Sequence, residues 1–284
     1  MAAGNLHPAA AERSQPGANP SDGALARDDM QRVANDRLWG SGRLVDAYAT
    51  RILRPVEADI LVRYRAELSG RVLELGSGAG RLSGYLAEIA SEVRGVDISP
   101  EMITYSQRRY PKVSFVQGDL RDPAVFGPGP WDAIVAPFNV VDVFGDADRQ
   151  QLLDRSHAAL APDGLLVMSS HNRAVADRLG DPLRQVGLSP RSLIPTALHL
   201  PRRWLNRRRL VGFQRNEPEY AILNDVAHDY AVLHYYITRD AQTRQLADHG
   251  FELVECLDLD GSPVPPGAAA AHCSELHYVA RRHG

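Results

Sequence analysis

Cysteine is scarce: Cys256 and Cys273 are the only two in 284 residues, with no pairing pattern and no ligand cluster around either. That argues against a disulfide-stapled fold and suits a reducing compartment, with both expected to be plain thiols. Long apolar runs are missing too. No stretch approaches the roughly 20 residues a bilayer span needs, and the first 27 residues lack the apolar core of a signal peptide, so the expected location is cytoplasmic. Nor is there an excess of positive charge. A formal net charge of −3 and a pI near 6.4 argue against a general nucleic-acid binder, whose footprint is strongly basic, while leaving room for local patches.

What remains is an ordinary globular composition, 44% hydrophobic and 24% charged, in a chain long enough for one large domain or two small ones. Residues 1–27 are rich in Ala, Pro, Gly and Ser and poor in large apolar side chains, the profile of a disordered tail. Residues 28–284 are expected to form a single domain. Leu44, Tyr48, Ile52 and then Ile60, Leu61, Tyr64 fall at helical spacing, interrupted by Gly40, Gly42 and Pro55, which predicts two helices. Units of strand and helix follow: strands at 71–75, 92–97, 113–117, 131–136 and 164–170, with helices at about 80–90, after Ser99-Pro100, and at about 147–160. Such alternation predicts an α/β fold, a doubly wound and mostly parallel sheet wrapped on both faces. From about 172 to 228 the alternation breaks down into Arg, Pro and Leu, which reads as an inserted substrate cap. A strand at 230–237, a helix capped by Thr238, and closing strands at 251–259 and 276–282 complete the domain.

The stretch RVLELGSGAGRLSGYL (71–86) puts Gly76, Gly78 and Gly80 in a strand-to-helix turn. In an open parallel sheet such a turn brings backbone N–H groups to the carboxyl edge of the strands, where ligands bind. The sixth position of the dinucleotide fingerprint is Arg81 rather than glycine, and no Lys-Ser or Lys-Thr follows, so neither a nicotinamide or flavin loop nor a Walker loop is matched. Asp97 ends the second strand, 19 residues beyond Gly78, where a carboxylate can accept from vicinal ribose hydroxyls. Asp119, in Gly118-Asp119-Leu120, follows the third strand, where an acid can take a hydrogen bond from an adenine amino group.

In this order, LELGSGAGR, GVDISPEMI, GDL, WDAIVAPFNVVDVF and LAPDGLLVMSSHN make residues 70–172 resemble the class I S-adenosylmethionine-dependent methyltransferases, with a Rossmann-like fold. YYITRDAQTRQLADHGFELVE adds a weaker likeness to their small-molecule branch. The resemblance implies S-adenosyl-L-methionine as cofactor. It implies Glu74 and Gly76 at the methionine end, Gly78 and Gly80 in the loop, Asp97 with Ile98 at the ribose, Asp119 with Leu120 at the adenine, and Ala136 and Phe138 beside the sulfonium. Ala136-Pro137-Phe138-Asn139 departs from the Asn-Pro-Pro-aromatic quartet used on planar amino groups, and no cysteine stands there as in cytosine carbon-5 enzymes. The implied reaction is methylation of a small acceptor, foremost an oxygen of a sugar or secondary metabolite. An RNA-modifying enzyme, a non-catalytic cofactor binder, and transfer or cyclisation of the aminocarboxypropyl arm stay open.

His171, just past the fifth strand, is the candidate general base, since imidazoles titrate near neutrality. Asn139 and Asp142 lie past the fourth strand, equally near the donor. Tyr235 and Tyr236 fall on opposite faces of one strand, so one of them can face the site, and Tyr235 is carried as the candidate. Trp39 and Tyr48 can fold over the cofactor as a lid. His228 and His234 could share a strand face, but no third ligand is in view and no metal is expected. Five arginines in PRRWLNRRRL (201–210) are expected either to grip an anionic acceptor from the cap, to rest on an anionic membrane surface, or to form a solvated face.

Overall fold

The computed structural model describes residues 20–176 and 190–284. Its strands are β1 (Arg71–Leu75), β2 (Glu92–Asp97), β3 (Ser114–Gln117), β4 (Trp131–Ala136), β5 (Leu160–Asn172), β6 (Arg215–Asn216), β7 (Tyr220–Leu223), β8 (His234–Ile237), β9 (Phe251–Leu257) and β10 (Glu275–Arg282). They form one sheet in the order β3-β2-β1-β4-β5-β8-β7-β6, with β10 paired to β5 and β9. Strands β1 to β5 run parallel to one another, and β10 is antiparallel to β5. The helices are α1 (Pro20–Trp39), α2 (Val45–Ala49), α3 (Pro55–Arg63), α4 (Arg81–Leu86), α5 (Pro100–Arg109), α6 (Asp146–Ala159), α7 (Pro190–Leu210) and α8 (Arg239–Asp248).

Neighbouring residues of a strand feed opposite faces, so the sheet is buried on both sides. Leu73 and Leu75 join Trp131, Leu166 and Tyr278 in one core cluster. Val72 joins Leu82, Val135 and Val279 in the other, beneath α3. No described helix is long and apolar enough to cross a membrane.

Beta-strand β5 is the pivot. Its Met168 is the last residue paired with β4 at Ala136, while His171 and Asn172 pair with Tyr236 and Ile237 of β8. With β10 running along the other edge, β4 and β8 occupy the same edge of β5 in succession, and the sheet forks at residues 168–171. A crevice where strand neighbours change, outside carboxyl ends, is where open sheets bind ligands.

Three expectations are corrected here. The stretch read as a tail to residue 27 contains the start of α1 at Pro20, a residue that costs no hydrogen bond in a first turn; residues 1–19 lie outside the described residues. Further along α1, two buried amides fasten it down. Gln31 donates to the Phe144 carbonyl (3.0 Å), while Asn35 donates to Val143 (2.6 Å) and Leu233 (2.8 Å) and accepts from the Leu233 amide (3.1 Å). At about 1 kcal/mol each these bonds hold the helix over the carboxyl edge.

The insertion at 172–228 is also more than a cap. Residues 177–189 lie outside the described residues, but β7 extends the sheet antiparallel to β8, and β6 pairs antiparallel to β7. Ile222 packs on Leu210, Leu233 and Tyr235, and Ala221 on Ala176 and Tyr236, so both faces of β7 are covered. Finally, β8 begins at His234 rather than 230. His228, Asp229 and Tyr230 have φ of 52, 59 and 60°, three consecutive left-handed residues that end any strand. Asn224 holds this turn by donating to the carbonyls of Tyr230 (2.9 Å) and Val232 (2.7 Å).

Candidate functional site

A cavity of about 260 Å³ opens at the fork, bounded by the loops after β1, β2, β3, β4 and β5, by α1, and by the 227–230 turn. Glu74, Gly76, Gly78, Asp97, Ile98, Asp119, Leu120, Phe138, Asn139 and His171 all line it. Gly80, Ala136 and Tyr235 are not in its wall. Gly80 turns against Tyr110 and Phe115, and Ala136 is buried within β4.

In the glycine loop, two positions answer different needs. A Cβ on Gly76 (φ +68°) would collide with the Val140 side chain. One on Gly78 (φ +52°) would meet nothing within 4 Å, so a ligand can lie directly on that backbone. Beneath the loop, buried Glu74 accepts a hydrogen bond from Ser83, and burial pushes its carboxyl up to about 8, leaving it mostly neutral at pH 7.

Asp97 is oriented by backbone alone. Oδ2 accepts from the Gly78 amide (2.8 Å) and Oδ1 from the Ser99 amide (2.9 Å). Burial raises its pKa, since no cation compensates it, and neutral hydroxyl donors facing its remaining lone pairs would restore lost solvation. Asp119 is engaged differently. Arg121 donates to it from its backbone amide (2.9 Å) and guanidinium (2.7 to 2.9 Å), and also reaches Asp36 of α1 at 2.7 Å. Burial would raise the Asp119 carboxyl, but Arg121 outweighs it and holds it below its usual range. The adenine role implied for Asp119 thus shares its oxygens with an arginine that sequence reasoning did not single out.

After β4 the chain turns through Phe138 and Asn139, both at φ 58°. The Asn139 amide donates to Ser169 Oγ (2.8 Å), and its Nδ2 to Glu275 Oε2 (2.9 Å). Its Oδ1 is a buried acceptor without a hydrogen-bond partner among the described residues, available to a ligand donor. Arg54, Arg51 and Arg81 stand over the Phe138 ring at 4.0, 4.9 and 5.0 Å, and Tyr48 meets it edge-on. Trp39 and Tyr48 both line the cavity, 6.0 Å apart, where the lid was expected.

At the fork, half-buried His171 stands beside the fully buried Asp142 carboxylate. Nδ1 of His171 lies 2.7 Å from Asp142 Oδ2, and the His171 backbone amide donates to the same oxygen at 2.6 Å. Asp142 also accepts from Ser170 Oγ (2.7 Å) and from fully buried Arg149 (2.6 Å). Burial works against the Asp142 carboxylate, but Arg149 and then His171 outweigh it and hold it ionised below the usual range. Asp142, expected past the fourth strand near the donor, is buried beneath His171.

Tyr235 faces the other way, donating to Asp146 (2.7 Å) and stacking on Tyr220. The residue beside His171 is Tyr236, at 4.9 Å between ring centroids, with its hydroxyl donating to Asp225 (2.5 Å). Asp225 also holds His234 at 2.8 Å, and the His234 ring lies 5.0 Å from His171. Burial opposes the His234 imidazolium, but Asp225 outweighs it and raises its pKa. His228, in the wall but not on a strand, is depressed to about 4 by burial. The cap supplies Ala227 and His228 to the wall, whereas none of the arginines at 202–209 reaches it, contrary to an acceptor-gripping role.

Known proteins are similar to this chain in sequence and in fold. The methyltransferase domain family matches residues 72–164, from β1 into β5. The ubiquinone biosynthesis O-methyltransferase of Xylella fastidiosa (strain 9a5c) is 35% identical over 130 residues, 44% of this chain and 51% of that protein. The magnesium-protoporphyrin O-methyltransferase of Rhodobacter capsulatus is 32% identical over 133 residues, 41% and 58% of the respective chains. This chain therefore spans little more than half the length of the relatives it matches. Among solved structures, an S-adenosylmethionine-dependent methyltransferase from Clostridium acetobutylicum is similar with a TM-score of 0.56 at 11% identity, covering 91% of this chain and 100% of that one. The Burkholderia thailandensis 1,6-didemethyltoxoflavin-N1-methyltransferase, with S-adenosylhomocysteine bound, gives 0.51 at 18%, covering 96% and 94%. Residues 72–164 thus carry a methyltransferase domain, and the chain's fold is that of S-adenosylmethionine-dependent methyltransferases of known structure.

Proposed function

We propose that the protein transfers the methyl group of S-adenosylmethionine to an oxygen of a small acceptor, a hydroxyl of a sugar or secondary metabolite, in the cytoplasm. The observation that carries this reading is the His171–Asp142 dyad opening into the same cavity as the Gly78–Asp97 cradle. When bound, the cofactor supplies an electrophilic methyl group on a sulfonium and leaves as a neutral thioether.

The chain's part is to bind, orient and handle one proton. Gly78 offers bare backbone, Asp97 accepts from the ribose hydroxyls, and Asn139 Oδ1 receives a ligand donor. Trp39, Tyr48, Phe138 and Phe144 shield the reacting end from water. With Nδ1 2.7 Å from Asp142 Oδ2, His171 leaves Nε2 as the acceptor for the hydroxyl proton. The Asp142 carboxylate, kept ionised by Arg149, stabilises the imidazolium that results. Arginine–acid–imidazole order thus gives a base with a fixed orientation, and orientation itself can supply about 7 to 11 kcal/mol of barrier reduction.

The test is mass spectrometry of products from methyl-deuterated cofactor incubated with a library of hydroxylated acceptors. Recovery of S-adenosylhomocysteine and a deuteromethyl ether is expected. His171→Ala should lower kcat by about 10² to 10⁴ with cofactor affinity unchanged. Transfer of the aminocarboxypropyl arm, or full turnover in the alanine variant, overturns the reading.

A further inference from the structure

Residues 182–216 contain no aspartate or glutamate and eight arginines, in a chain whose net charge is −3. Helix α7 carries most of them, and those at 202–209 divide between two faces. Its inner face rests on the 227–230 turn. Asn206 donates to the Asp229 carbonyl (2.9 Å), Arg203 approaches Asp229 at 3.6 Å, Arg203 and Arg207 lie over the Tyr230 ring at 5.7 and 5.4 Å, and Leu210 is buried in the cluster with Ile222 and Leu233. The outer face shows large apolar side chains to solvent: Leu200, Trp204 at 58% and Leu205 at 60% exposure, with Val211 just beyond the helix end. Exposed Arg202, Arg208 and Arg209 surround them, Arg208 standing 5.2 Å over the Trp204 ring.

We infer that α7 docks the protein on an anionic lipid surface, with Leu200, Trp204 and Leu205 entering the headgroup boundary and Arg202, Arg208 and Arg209 pairing with lipid phosphates. A helix lying in the interface needs both parts, an apolar face that buries and basic side chains whose stems reach past it to the phosphates. Trp204 is suited to that depth, having an apolar ring and one polar N–H. A nucleic-acid surface would use the arginines but gives no account of two leucines held in solvent beside them, so the lipid surface explains more of the face. The docked helix would lie against the same turn that supplies Ala227 and His228 to the cavity wall. A membrane-resident acceptor would then enter within one helix diameter of the bilayer. The inference stands independently of which group the enzyme transfers.

The experiment is flotation of the full chain with phosphatidylcholine vesicles and with vesicles that also contain phosphatidylglycerol. Binding to the anionic vesicles alone is expected, weakening with salt and accompanied by a blue shift of tryptophan emission that Trp204→Phe removes. Arg202→Glu/Arg208→Glu/Arg209→Glu should weaken partitioning at least about tenfold, at roughly 1 kcal/mol per basic residue. Leu200→Ser/Trp204→Ser/Leu205→Ser should abolish it even at low salt. Both variants should keep cofactor affinity and melting temperature, because the inner face is untouched. Absence of vesicle binding, vesicle binding that neither variant changes, binding to single-stranded RNA in place of vesicles, or variant-sensitive self-association in place of lipid binding each overturns the inference.

Discussion

The two sides of the cavity are built by different means. Around β1 and β2 the ligand-facing groups are fixed by backbone: Asp97 by two amides, the glycine loop by its own dihedral angles. Around β5 and β8 they are fixed by buried side chains from distant segments: Arg149 and Asp142 under His171, Asp225 between His234 and Tyr236, Asn35 reaching from α1 to the start of β8. A backbone-built site survives loss of a side chain with its shape intact. A site built of interlocking buried charges does not, because removing one partner strands another in a low-dielectric interior.

The sharpest break between the sides is expected at Arg149. Its guanidinium donates to Asp142, Val141, Ser170, Gln242 and Gln245 and is fully buried. Arg149→Met strips the buried Asp142 carboxylate of its cation and should cost about 3 to 5 kcal/mol. At about 2 to 4 °C per kcal/mol for a chain of this size, the melting temperature drops on the order of 10 °C, read by scanning calorimetry. A drop of a degree or less would mean that the side of the cavity around β5 and β8 does not depend on this network. Asp97→Ala is the counterpart. Loss of charge-assisted hydrogen bonds of about 1.5 to 3 kcal/mol each should weaken S-adenosylhomocysteine binding at least tenfold by titration calorimetry, with the melting temperature of the ligand-free protein nearly unchanged. Destabilisation as large as that of Arg149→Met would erase the contrast.

The smallest effect separates the sides by pH. Folded His228 takes up its proton only near pH 4, while the unfolded chain does so near its ordinary value of 6.5. Stability therefore falls as pH drops from about 6.5 to about 4, and levels off below that. Because the ring is partly exposed, the contribution is about 1 kcal/mol or less. His228→Asn, which tolerates the left-handed backbone, should flatten the acid limb of urea midpoints measured between pH 6.5 and 4. An unchanged limb would remove His228 from the account.

Sequence periodicity and turn chemistry made the parallel half legible almost to the residue. Strands expected at 71–75, 92–97 and 131–136 are where the structure has them, because buried parallel strands are short apolar runs bounded by glycine, serine or aspartate. The cavity-lining residues proposed to hold the cofactor were legible for the same reason, sitting at the strand ends that those motifs mark. Beta-strands β6 and β7 were hidden, since a two-residue strand has no period and YAIL is too short to distinguish from a helical turn. Tyr235 was exchanged for Tyr236 because alternation says that neighbours face opposite ways but not which way is in. Arg121, Arg149 and Asp225 act through partners far along the chain, a relation that no local pattern encodes.

The fork in the sheet has a consequence for how this scaffold can change. Beta-strand β8 is joined to β5 by two residue pairs, His171 with Tyr236 and Asn172 with Ile237, whereas β7 and β8 share four. The segment from β6 through β8 is therefore a module more strongly tied within itself than to the strand that bears it. A change in the length of that segment therefore meets only two strand pairs at β5, while the pairings among β1 to β4 lie outside its reach.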